Sequence, residues 1–447
     1  MKRSLLIILF IIGYHTAASA QNCNVDFLGT KTLYKNPAQK YTPAPAGYSP
    51  VFINHVGRHG ARHLTKDVKT TFAYNLLMQA DSANALTADG KKLKQMVIAL
   101  QKVEKGSTKF ISAEGKNELE GLGERMYLNY GNVFKGQQNL SIAITKEVRT
   151  KQSADAFLQG LNSKLKDTAL TKFYNDDTAL RFYDLSPAYK SFEDGVDNGS
   201  VMLALQKAAR FDELNKAVTA KFFTADFLAK QALTETQEEK FTADVFGFAT
   251  IVYSLKEEIE QKSYQLADLD FKSFFNWDEL KKLGELDSID ENLKKGPGTD
   301  NNGIQVRIAV PLLVDFIKAA DEFIATGKYN ARLRFAHAET TAPFAALLQI
   351  SSADKATITA SKLNDNWHSA NVIPLSANIQ WVFYKKKGTP GYLVKVLLNE
   401  KEAHIDGLSK VSIYYKWSDL RALYMSKLAK LGVKLTDDMG AYLASVK

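Results

Sequence analysis

The hydrophobic pattern alternates between short apolar runs and amphipathic stretches at both ends of the chain, which predicts strands followed by helices. The clearest run is VFINHV at 51–56, which predicts a buried strand, and Gly57 and Gly60 after it interrupt regular structure. Further strands are predicted at 140–145, 332–336, 378–386 and 391–399. Helical periodicity predicts helices over 66–80, 91–104, 112–134, 151–165, 304–325 and 417–431.

The pattern changes between about 166 and 300, where Lys-, Glu- and Ala-rich amphipathic segments follow one another, with one weak strand signal at 180–185. Helices are predicted there at 200–222, 225–234, 236–262 and 276–284, and the breaker cluster KKGPGTDNNG ends the region at 294–303. These patterns predict an α/β fold, with a mixed central sheet flanked by helices and an inserted α-helical cap domain. The predicted divisions are a signal peptide at 1–20, core segments at 21–165 and 301–447, and the cap at 166–300.

The first twenty residues have the pattern of a secretory signal peptide. Lys2 and Arg3 precede an apolar run at 5–12 that is too short to span a bilayer, and Ala18-Ser19-Ala20 is typical of a cleavage site. The single cysteine, Cys23, cannot form an internal disulfide, which suits a bacterial periplasm better than a eukaryotic secretory lumen. We therefore expect an exported, soluble protein in the periplasm, on the cell surface or in outer-membrane vesicles.

Basic residues outnumber acidic ones, and the formal net charge of the whole chain is +9. The charge falls to +7 when Lys2 and Arg3 are removed with the predicted signal peptide, because residues 1–20 contain no Asp or Glu. The lysines are dispersed and do not alternate with aromatic residues along a stripe, so the charge favours a small polyanionic ligand over nucleic acid. We expect a monomer with neither a nucleic-acid partner nor a stable membrane insertion.

Two arginines and a histidine lie directly after the first predicted strand: Arg58, His59 and Arg62. Ligands bind at the carboxyl ends of strands in α/β sheets, and paired guanidiniums recognise phosphate through bidentate hydrogen bonds. The segment therefore predicts a phosphate site that contains a nucleophile. One alternative is a metal-binding face of His55, His59 and His63, whose spacing of four would require a helix despite the glycines. The other alternative is a solvated basic loop.

Two further predicted strands end in residues of matching chemistry. Arg149 follows the strand at 140–145, and His337-Ala338-Glu339 ends the strand at 332–336. Together with His59, these residues are sufficient for phosphoryl transfer through a covalent histidine. The arginines and a protonated His337 would hold the phosphate oxygens, and Glu339 would protonate the departing alkoxide. Because the guanidiniums supply positive charge, we expect neither a metal nor another cofactor.

Two other functions fit parts of the same set of residues. In a zinc hydrolase, His337 and Glu339 would join His55 or His63 as metal ligands. In a non-catalytic binder of phosphorylated ligands, the arginines would be needed, but neither His59 nor Glu339 would be.

Motifs along most of the chain after the signal peptide resemble those of the histidine acid phosphatases, in the order typical of that family. Arg58-His59-Gly60-Ala61-Arg62 resembles the family's RHGxRxP motif. His337-Ala338-Glu339-Thr340 resembles the HAE variant that marks the branch of multiple inositol polyphosphate phosphatases. Arg149-Thr150 with the segment 153–161 resembles the family's third-arginine segment, and 374–378 and 396–400 resemble the C-terminal part of the branch.

This resemblance implies the histidine phosphatase fold, which is similar to that of phosphoglycerate mutase, with an α-helical cap. It implies that His59 is the nucleophile, that Glu339 is the proton donor, and that Arg58, Arg62, Arg149 and His337 bind phosphate. The expected activity is hydrolysis of inositol polyphosphates, phytate above all, and the alternative is a broad acid phosphatase acting on sugar or glycerate phosphates. Leu64 stands where the motif usually has proline, so we expect altered loop geometry with retained chemistry.

Overall fold

The computed structural model describes residues 26–38, 40–136, 139–165 and 169–447. The predicted signal peptide, Cys23 and the predicted first residue of the cap, residue 166, lie outside the described residues. The strands are β1 (Tyr48–Arg58), β2 (Asn139–Ile144), β3 (Leu170–Asn175), β4 (Ala331–Ala336), β5 (Asn378–Lys386), β6 (Leu393–Leu398), β7 (Lys401–Glu402) and β8 (Tyr414–Lys416). The pattern predicts β1, β2, β4, β5 and β6. It misses β3, none of whose residues is buried, and the short strands β7 and β8.

All of these strands belong to one sheet with the order β3-β2-β4-β1-β5-β6-β7, in which β8 pairs with β6. The first four of these, β3, β2, β4 and β1, run parallel, which places their carboxyl ends at one edge of the sheet. β5 and β6 add an antiparallel part, so the sheet is mixed. At the parallel edge, Arg58 of β1 lies opposite Ala336, the last residue of β4.

Helices cover the sheet and form a further cluster beside it. The helices that precede residue 166 are α1 (Phe72–Ser82), α2 (Ala88–Glu104), α3 (Ala113–Tyr130) and α4 (Val148–Asn162). The next group consists of α5 (Asp177–Leu180), α6 (Phe182–Leu185), α7 (Pro187–Glu193), α8 (Val196–Ala208), α9 (Phe211–Ala220), α10 (Ala225–Gln231), α11 (Glu235–Ile251), α12 (Lys256–Gln261) and α13 (Trp277–Lys295). The last group consists of α14 (Ile304–Arg307), α15 (Val310–Thr326), α16 (Ala338–Leu347), α17 (Leu363–Asn366), α18 (Ser369–Val372), α19 (Trp417–Lys430) and α20 (Met439–Ser445).

Neighbouring residues of β1 point to opposite faces of the sheet, as the two-residue period of a strand requires. Phe52 belongs to a core that includes residues of α15, α16 and α19, whereas Ile53 belongs to a core that includes residues of α3 and α4. The predicted α/β fold, with a mixed central sheet flanked by helices, is therefore confirmed. Among the described residues, no helix combines the length and the apolar character needed to cross a membrane.

A third apolar core lies among helices that come from both sides of residue 166, the predicted first residue of the cap. This core joins residues of α1 and α2 to residues of α9, α10, α11 and α13, so two helices that precede 166 pack with those that follow it. The weak strand signal at 180–185 is wrong, because these residues end α5 and form α6. Leu180 and Phe182 are apolar because they are buried in the core that contains α15, a pattern that a short strand would also produce.

Candidate active site

The parallel edge of the sheet brings the loops after β1 and β4 together. The backbone N–H of His59 donates to the carbonyl of Ala336 at 3.0 Å, which continues the ladder between the two strands. As a result, the rings of His59 and His337 lie with their centroids 5.6 Å apart. Gly60 lets the loop approach α3, because a Cβ at this position would lie 2.6 Å from the carbonyl oxygen of Gly115.

The hydrogen bonds of His59 determine which ring nitrogen carries its proton. Nδ1 lies 2.9 Å from the carbonyl oxygen of Gly60, and a carbonyl oxygen only accepts hydrogen bonds. Nδ1 is therefore the donor, and Nε2 has a free lone pair in the neutral ring. Burial, and then the charges of Arg58 and Arg62, hold the pKa of His59 well below its usual range. The imidazole is consequently neutral and nucleophilic even in acid.

Arg58 and Arg149 are fixed by different partners beside this ring. Arg58 Nη1 donates to the carbonyls of Thr30 at 2.7 Å and Ile373 at 2.6 Å. Arg149 lies in the first turn of α4, not in the loop before the helix as the sequence predicts, and its Nη1 donates to Glu147 at 2.8 Å. Within the described part of the chain, the buried Nε atoms of both arginines have no hydrogen-bond partner. These N–H groups are available to an anion.

Arg62 is the third guanidinium of the cluster, and it is less buried than Arg58. Its Nη1 donates to the carbonyl of His63 at 2.8 Å, so it too is oriented by the backbone and keeps its charge uncompensated there. Burial, and then Arg58 and Arg149, lower the pKa of Arg62 to about 10. The side chain is still a cation at any pH below that value.

His337 has the opposite tautomer to His59. Its Nδ1 lies 3.2 Å from Nη2 of Arg149, and because a guanidinium only donates, this nitrogen accepts. The proton is then on Nε2, which donates to the hydroxyl of Thr145 at 3.1 Å. Burial, and then Arg149, lower the pKa of His337 to about 3. The sequence predicts a protonated His337, but this geometry favours the neutral ring in the free protein.

Glu339 lies in the first turn of α16, and about a third of its side chain is exposed. Its Oε1 is 3.1 Å from Nζ of Lys295, the last residue of α13. Burial would raise the pKa of Glu339, but Lys295 and the other positive groups around the carboxyl outweigh it and hold the pKa well below its usual range. A proton donor at this position must therefore gain its proton when the charge around it changes.

Sequence reasoning misses the residues that hold these loops in place. Glu118 of α3 accepts from the backbone N–H of Ala61 at 2.9 Å and from the hydroxyl of Ser376 at 2.7 Å, and Ser376 donates from its backbone to the carbonyl of His59. Thr145 follows β2 at the same edge that carries the predicted site, so the strand-end rule identifies this position as well. Glu118 has no comparable signal in the sequence, because it lies inside α3 and is distant in the chain from the loop that it holds.

Two histidines, His55 and His63, bear on the metal site that the sequence leaves as an alternative. The ring of His55 packs in the core against Phe157 and Phe335, with centroids 5.6 Å from each, because β1 is a strand. His63 Nδ1 pairs with a carboxyl oxygen of Glu104 at 3.2 Å. Within the described ranges, no three His, Cys, Asp or Glu side chains are grouped so that they could hold a metal ion.

Leu64 has a contact that a proline could not make. Its backbone N–H donates to the carboxyl oxygens of Glu104 at 3.1 and 3.2 Å, and its carbonyl accepts from the N–H of Lys109. A proline has no N–H, so the usual residue of the motif would lose the bond to Glu104. This bond anchors the loop to Glu104, the last residue of α2.

A cavity of about 820 Å³ opens beside the cluster, and Arg62 belongs to its lining. Lys31 also lines this cavity, and α13 contributes Asp287, Asp290 and Lys294 to it. Among the described lining residues, acidic side chains outnumber basic ones. The positive charge is thus concentrated at the strand ends and does not extend across the whole cavity.

Comparison with known proteins gives this cluster a family. Residues 51–399 match the histidine phosphatase superfamily, branch 2. The chain belongs to that superfamily. It is 25% identical over 404 residues to the Multiple inositol polyphosphate phosphatase 1 of Gallus gallus, and the alignment covers 84% of each chain. The predicted resemblance is therefore confirmed, and the predicted enzyme class, a phosphoric monoester hydrolase, is the class of the relatives.

Solved histidine phosphatases share the fold of this chain. The Bifidobacterium longum Multiple Inositol Polyphosphate Phosphatase in complex with inositol hexasulfate matches with a TM-score of 0.75 and 20% identity, covering 89% of this chain and 97% of that one. The phytase from D. castellii matches with a TM-score of 0.63 and 15% identity, covering 98% and 95%. The range assigned to the superfamily begins in β1 and includes all the side chains of the cluster, whose individual roles stay predictions.

Proposed function

We propose that this protein hydrolyses the phosphate monoesters of inositol polyphosphates through a covalent phosphohistidine at His59. The observation that carries the proposal is the free Nε2 lone pair of a neutral His59 surrounded by Arg58, Arg62 and Arg149. The substrate class is supported by the name of the Gallus gallus relative and by the inositol hexasulfate bound to the Bifidobacterium longum protein. A cavity of about 820 Å³ beside Arg62 leaves room for an inositol ring with its remaining phosphates.

In the first step, Nε2 of His59 donates its lone pair to phosphorus, and the bond from phosphorus to the ester oxygen breaks. The bonding electrons leave with that oxygen, which takes a proton from the carboxyl group of Glu339 and departs as an alcohol. The negative charge that spreads over the phosphoryl oxygens is stabilised by the three guanidiniums. The Nδ1 proton stays on the hydrogen bond to Gly60, which stabilises the positive charge on the phosphorylated ring.

In the second step, water attacks phosphorus while Glu339, now a carboxylate, accepts its proton. The bond between phosphorus and Nε2 breaks, the electron pair returns to the nitrogen, and inorganic phosphate leaves. Glu339 is thereby protonated while the phosphate is still bound, and it returns to the carboxylate form when phosphate leaves. His59 is again neutral. We further propose that the protein works outside the cytoplasm, because its N-terminal pattern is that of a signal peptide.

His59→Ala tests the nucleophile directly. The expected result is loss of phosphate release from phytate to background, with the melting temperature retained, because the alanine cannot form the phosphoenzyme. Labelled phosphate should remain on the wild-type protein after rapid denaturation in alkali and should be absent from the variant. His404→Ala, a histidine outside the cluster, is the control. Substantial turnover by a folded His59→Ala protein would exclude the covalent route.

Glu339→Gln tests the proton donor by comparing leaving groups. We expect phytate hydrolysis to fall by about 10²- to 10⁴-fold, the usual contribution of a general acid. Hydrolysis of an aryl phosphate should fall much less, because a phenolate leaves without protonation. Equal losses on both substrates would show that Glu339 acts in some other way.

A broad-specificity acid phosphatase is the second candidate, and the acidic lining of the cavity favours it. Asp287 of α13 lines the cavity, and an ionised carboxylate there repels phosphates, whereas the charge of Asp290 is balanced by Lys294. Asp287 would instead accept hydrogen bonds from the hydroxyl groups of sugar or glycerate phosphates. The ratio of kcat/KM for phytate to kcat/KM for these esters decides between the two candidates.

A further inference from the structure

One lysine connects the cap-side helix α13 to the proposed proton donor. Nζ of Lys295 lies 2.8 and 2.7 Å from the two carboxyl oxygens of Glu291, one turn earlier on the same helix, and 3.1 Å from Oε1 of Glu339. The side chain of Lys295 is one-tenth exposed. This ammonium therefore has two carboxylate partners in a buried position, and only one of them belongs to the cluster around His59.

Other charged and titratable groups face Glu339 from each element packed around it. Arg58 is the last residue of β1, Arg62 lies in the loop after it, and His337 directly precedes α16, the helix that carries Glu339. The charge of Glu339 also contributes to raising the pKa of Tyr183 of α6 and of Glu193 at the end of α7. Only Lys295 forms an ion pair with Glu339 among the described residues. The arginines have carbonyl or carboxylate partners of their own, and they are the groups that a bound phosphate neutralises.

We propose that Lys295 is a positioning residue for Glu339: it holds the carboxylate in place and ionised in the free protein, and keeps Glu291 as its partner when a phosphate group binds. This inference rests on the proposed role of Glu339 as the proton donor. Its physical basis is that Lys295 contacts both oxygens of Glu291 but only one oxygen of Glu339. The ammonium can release Glu339 without becoming an unpaired buried charge, which would be costly.

Binding of a phosphate group supplies the reason for the release. Its negative charges neutralise Arg58 and Arg62 and repel the carboxylate of Glu339, so that protonation becomes favourable. The pKa of Glu339, held low in the free protein, then rises in the complex. Lys295 thus sets how acidic the medium must be before the free protein carries a protonated Glu339.

The test is the pH dependence of kcat/KM for an alkyl phosphate, glycerol phosphate, because kcat/KM reports the groups of the free enzyme. Lys295→Met should move the basic limb of this profile upward by about one pH unit or more, the usual effect of removing an adjacent opposite charge. Glu291→Gln should move the limb downward, because Lys295 then pairs with Glu339 alone. With an aryl phosphate, whose leaving group needs no proton, neither substitution should move the basic limb.

Lys281→Met is the matched control, since Lys281 lies on the same helix and pairs with Glu285 at 3.8 Å in the same i, i+4 arrangement. It and Lys295→Arg, which keeps the charge, should leave the limb where the wild type has it. A folded Lys295→Met protein with an unmoved limb overturns the inference. If Lys295→Met does not fold, Glu291→Gln decides, and an unmoved or raised limb overturns the inference.

Glu339→Gln separates this inference from the proposed function. If the variant keeps wild-type activity and the same basic limb on glycerol phosphate, Glu339 is not the proton donor and the proposed function fails at that step. If the limb is lost in Glu339→Gln but unmoved in Lys295→Met, the proton donor stands and only the role of Lys295 is wrong.

Discussion

The cations at the strand ends and the cations on α13 are held in different ways. At the strand ends, Arg58 donates to the carbonyls of Thr30 and Ile373, and Arg62 donates to the carbonyl of His63. Arg149 is the exception there, because it pairs with the carboxylate of Glu147. On α13, Lys294 pairs with Asp290 at 2.8 Å, and Lys295 pairs with Glu291 at 2.7 Å. Carbonyl partners orient a guanidinium without cancelling its charge, whereas carboxylate partners do cancel it. The strand-end side therefore stays positive, and the α13 side is locally balanced.

This difference implies a division of labour that mutations can test. The strand-end cations should stabilise the phosphoryl group that reacts, regardless of what it is attached to. The balanced charges of α13 should influence only proton transfer and the parts of the substrate that do not react. The effects of substitutions should accordingly decrease from the first side to the second.

The largest effect is expected for Arg62→Gln. Because the guanidinium is held by one backbone carbonyl, its removal leaves the fold intact but takes one charge from the transition state. We expect kcat/KM to fall by about 10²- to 10³-fold, equally for phytate and an aryl phosphate. Lys294→Gln on α13 should change either value by less than about threefold, since its charge is already balanced by Asp290. Comparable losses in the two variants would refute the division.

The strand-end side is also the one that sequence reasoning describes best. Apolar runs followed by Arg58, His59 or His337 indicate ligand chemistry because parallel strands deliver their ends to one edge. Gly60 identifies the loop after β1 and is needed there for contact with α3. Gly57 does not interrupt the strand as predicted, because it pairs with both neighbouring strands inside β1. The central sheet follows from the same runs, so local pattern and tertiary structure agree in this half of the molecule.

The charged contact between α13 and Glu339 could not be predicted from the sequence, because it forms between residues that are distant in the chain. Lys295 stands next to a glycine- and proline-rich segment and differs from the other lysines only in being buried against Glu339, a contact made across the fold. The tautomer of His337 depends on the hydrogen bonds of its ring to Thr145 and Arg149, and a residue pattern does not give the geometry of these bonds. β3 is an edge strand with no buried residues, so its sequence lacks the apolar signal that identifies the others.

The next effect concerns stability and His55, which lies beneath the strand-end side. Burial lowers the pKa of His55 to about 3, whereas an unfolded histidine titrates near 6.5. Its contribution to stability is complete above pH 6.5 and is lost as the pH falls from 6.5 toward 3, because the unfolded chain binds the proton first. At pH 5 the loss is about 2 kcal/mol. His55→Leu should therefore narrow the difference between the free energies of unfolding at pH 7.5 and pH 5 by about that amount.

Denaturant unfolding of the two proteins at both pH values provides the measurement. The comparison between pH values within each protein removes any packing change caused by leucine, and other titrating groups affect both proteins alike. An unchanged difference would show that His55 takes up a proton as readily in the folded protein as in the unfolded chain. The assignment of a neutral, buried His55 would then be wrong.

A smaller change in stability is expected for Leu64→Pro, where the loop of the strand-end side is anchored to α2. Proline removes the N–H that Leu64 donates to Glu104, and Glu104 keeps His63 as a partner. The expected loss in free energy of unfolding is about 1 kcal/mol, the net value of one such hydrogen bond. Leu64→Val keeps the N–H and should change it by less. If proline were neutral or stabilising, the bond to Glu104 would not anchor the loop.

The smallest effect is expected on the α13 side, for Asp287→Asn. Burial raises the pKa of Asp287 to about 6, so the carboxyl is largely neutral at pH 5 and charged at pH 7.5. Removing this charge should tighten inhibition by inositol hexasulfate about two- to threefold at pH 7.5, the factor that one screened charge gives at about 8 Å in water. The substitution should have no effect at pH 5, where the wild-type side chain is already neutral. Glu285→Gln, on the exposed part of α13, should leave inhibition unchanged at both pH values. If instead Asp287→Asn changed inhibition as strongly as Arg62→Gln changes turnover, the α13 side would not be electrostatically balanced, and the contrast between the two sides would fail.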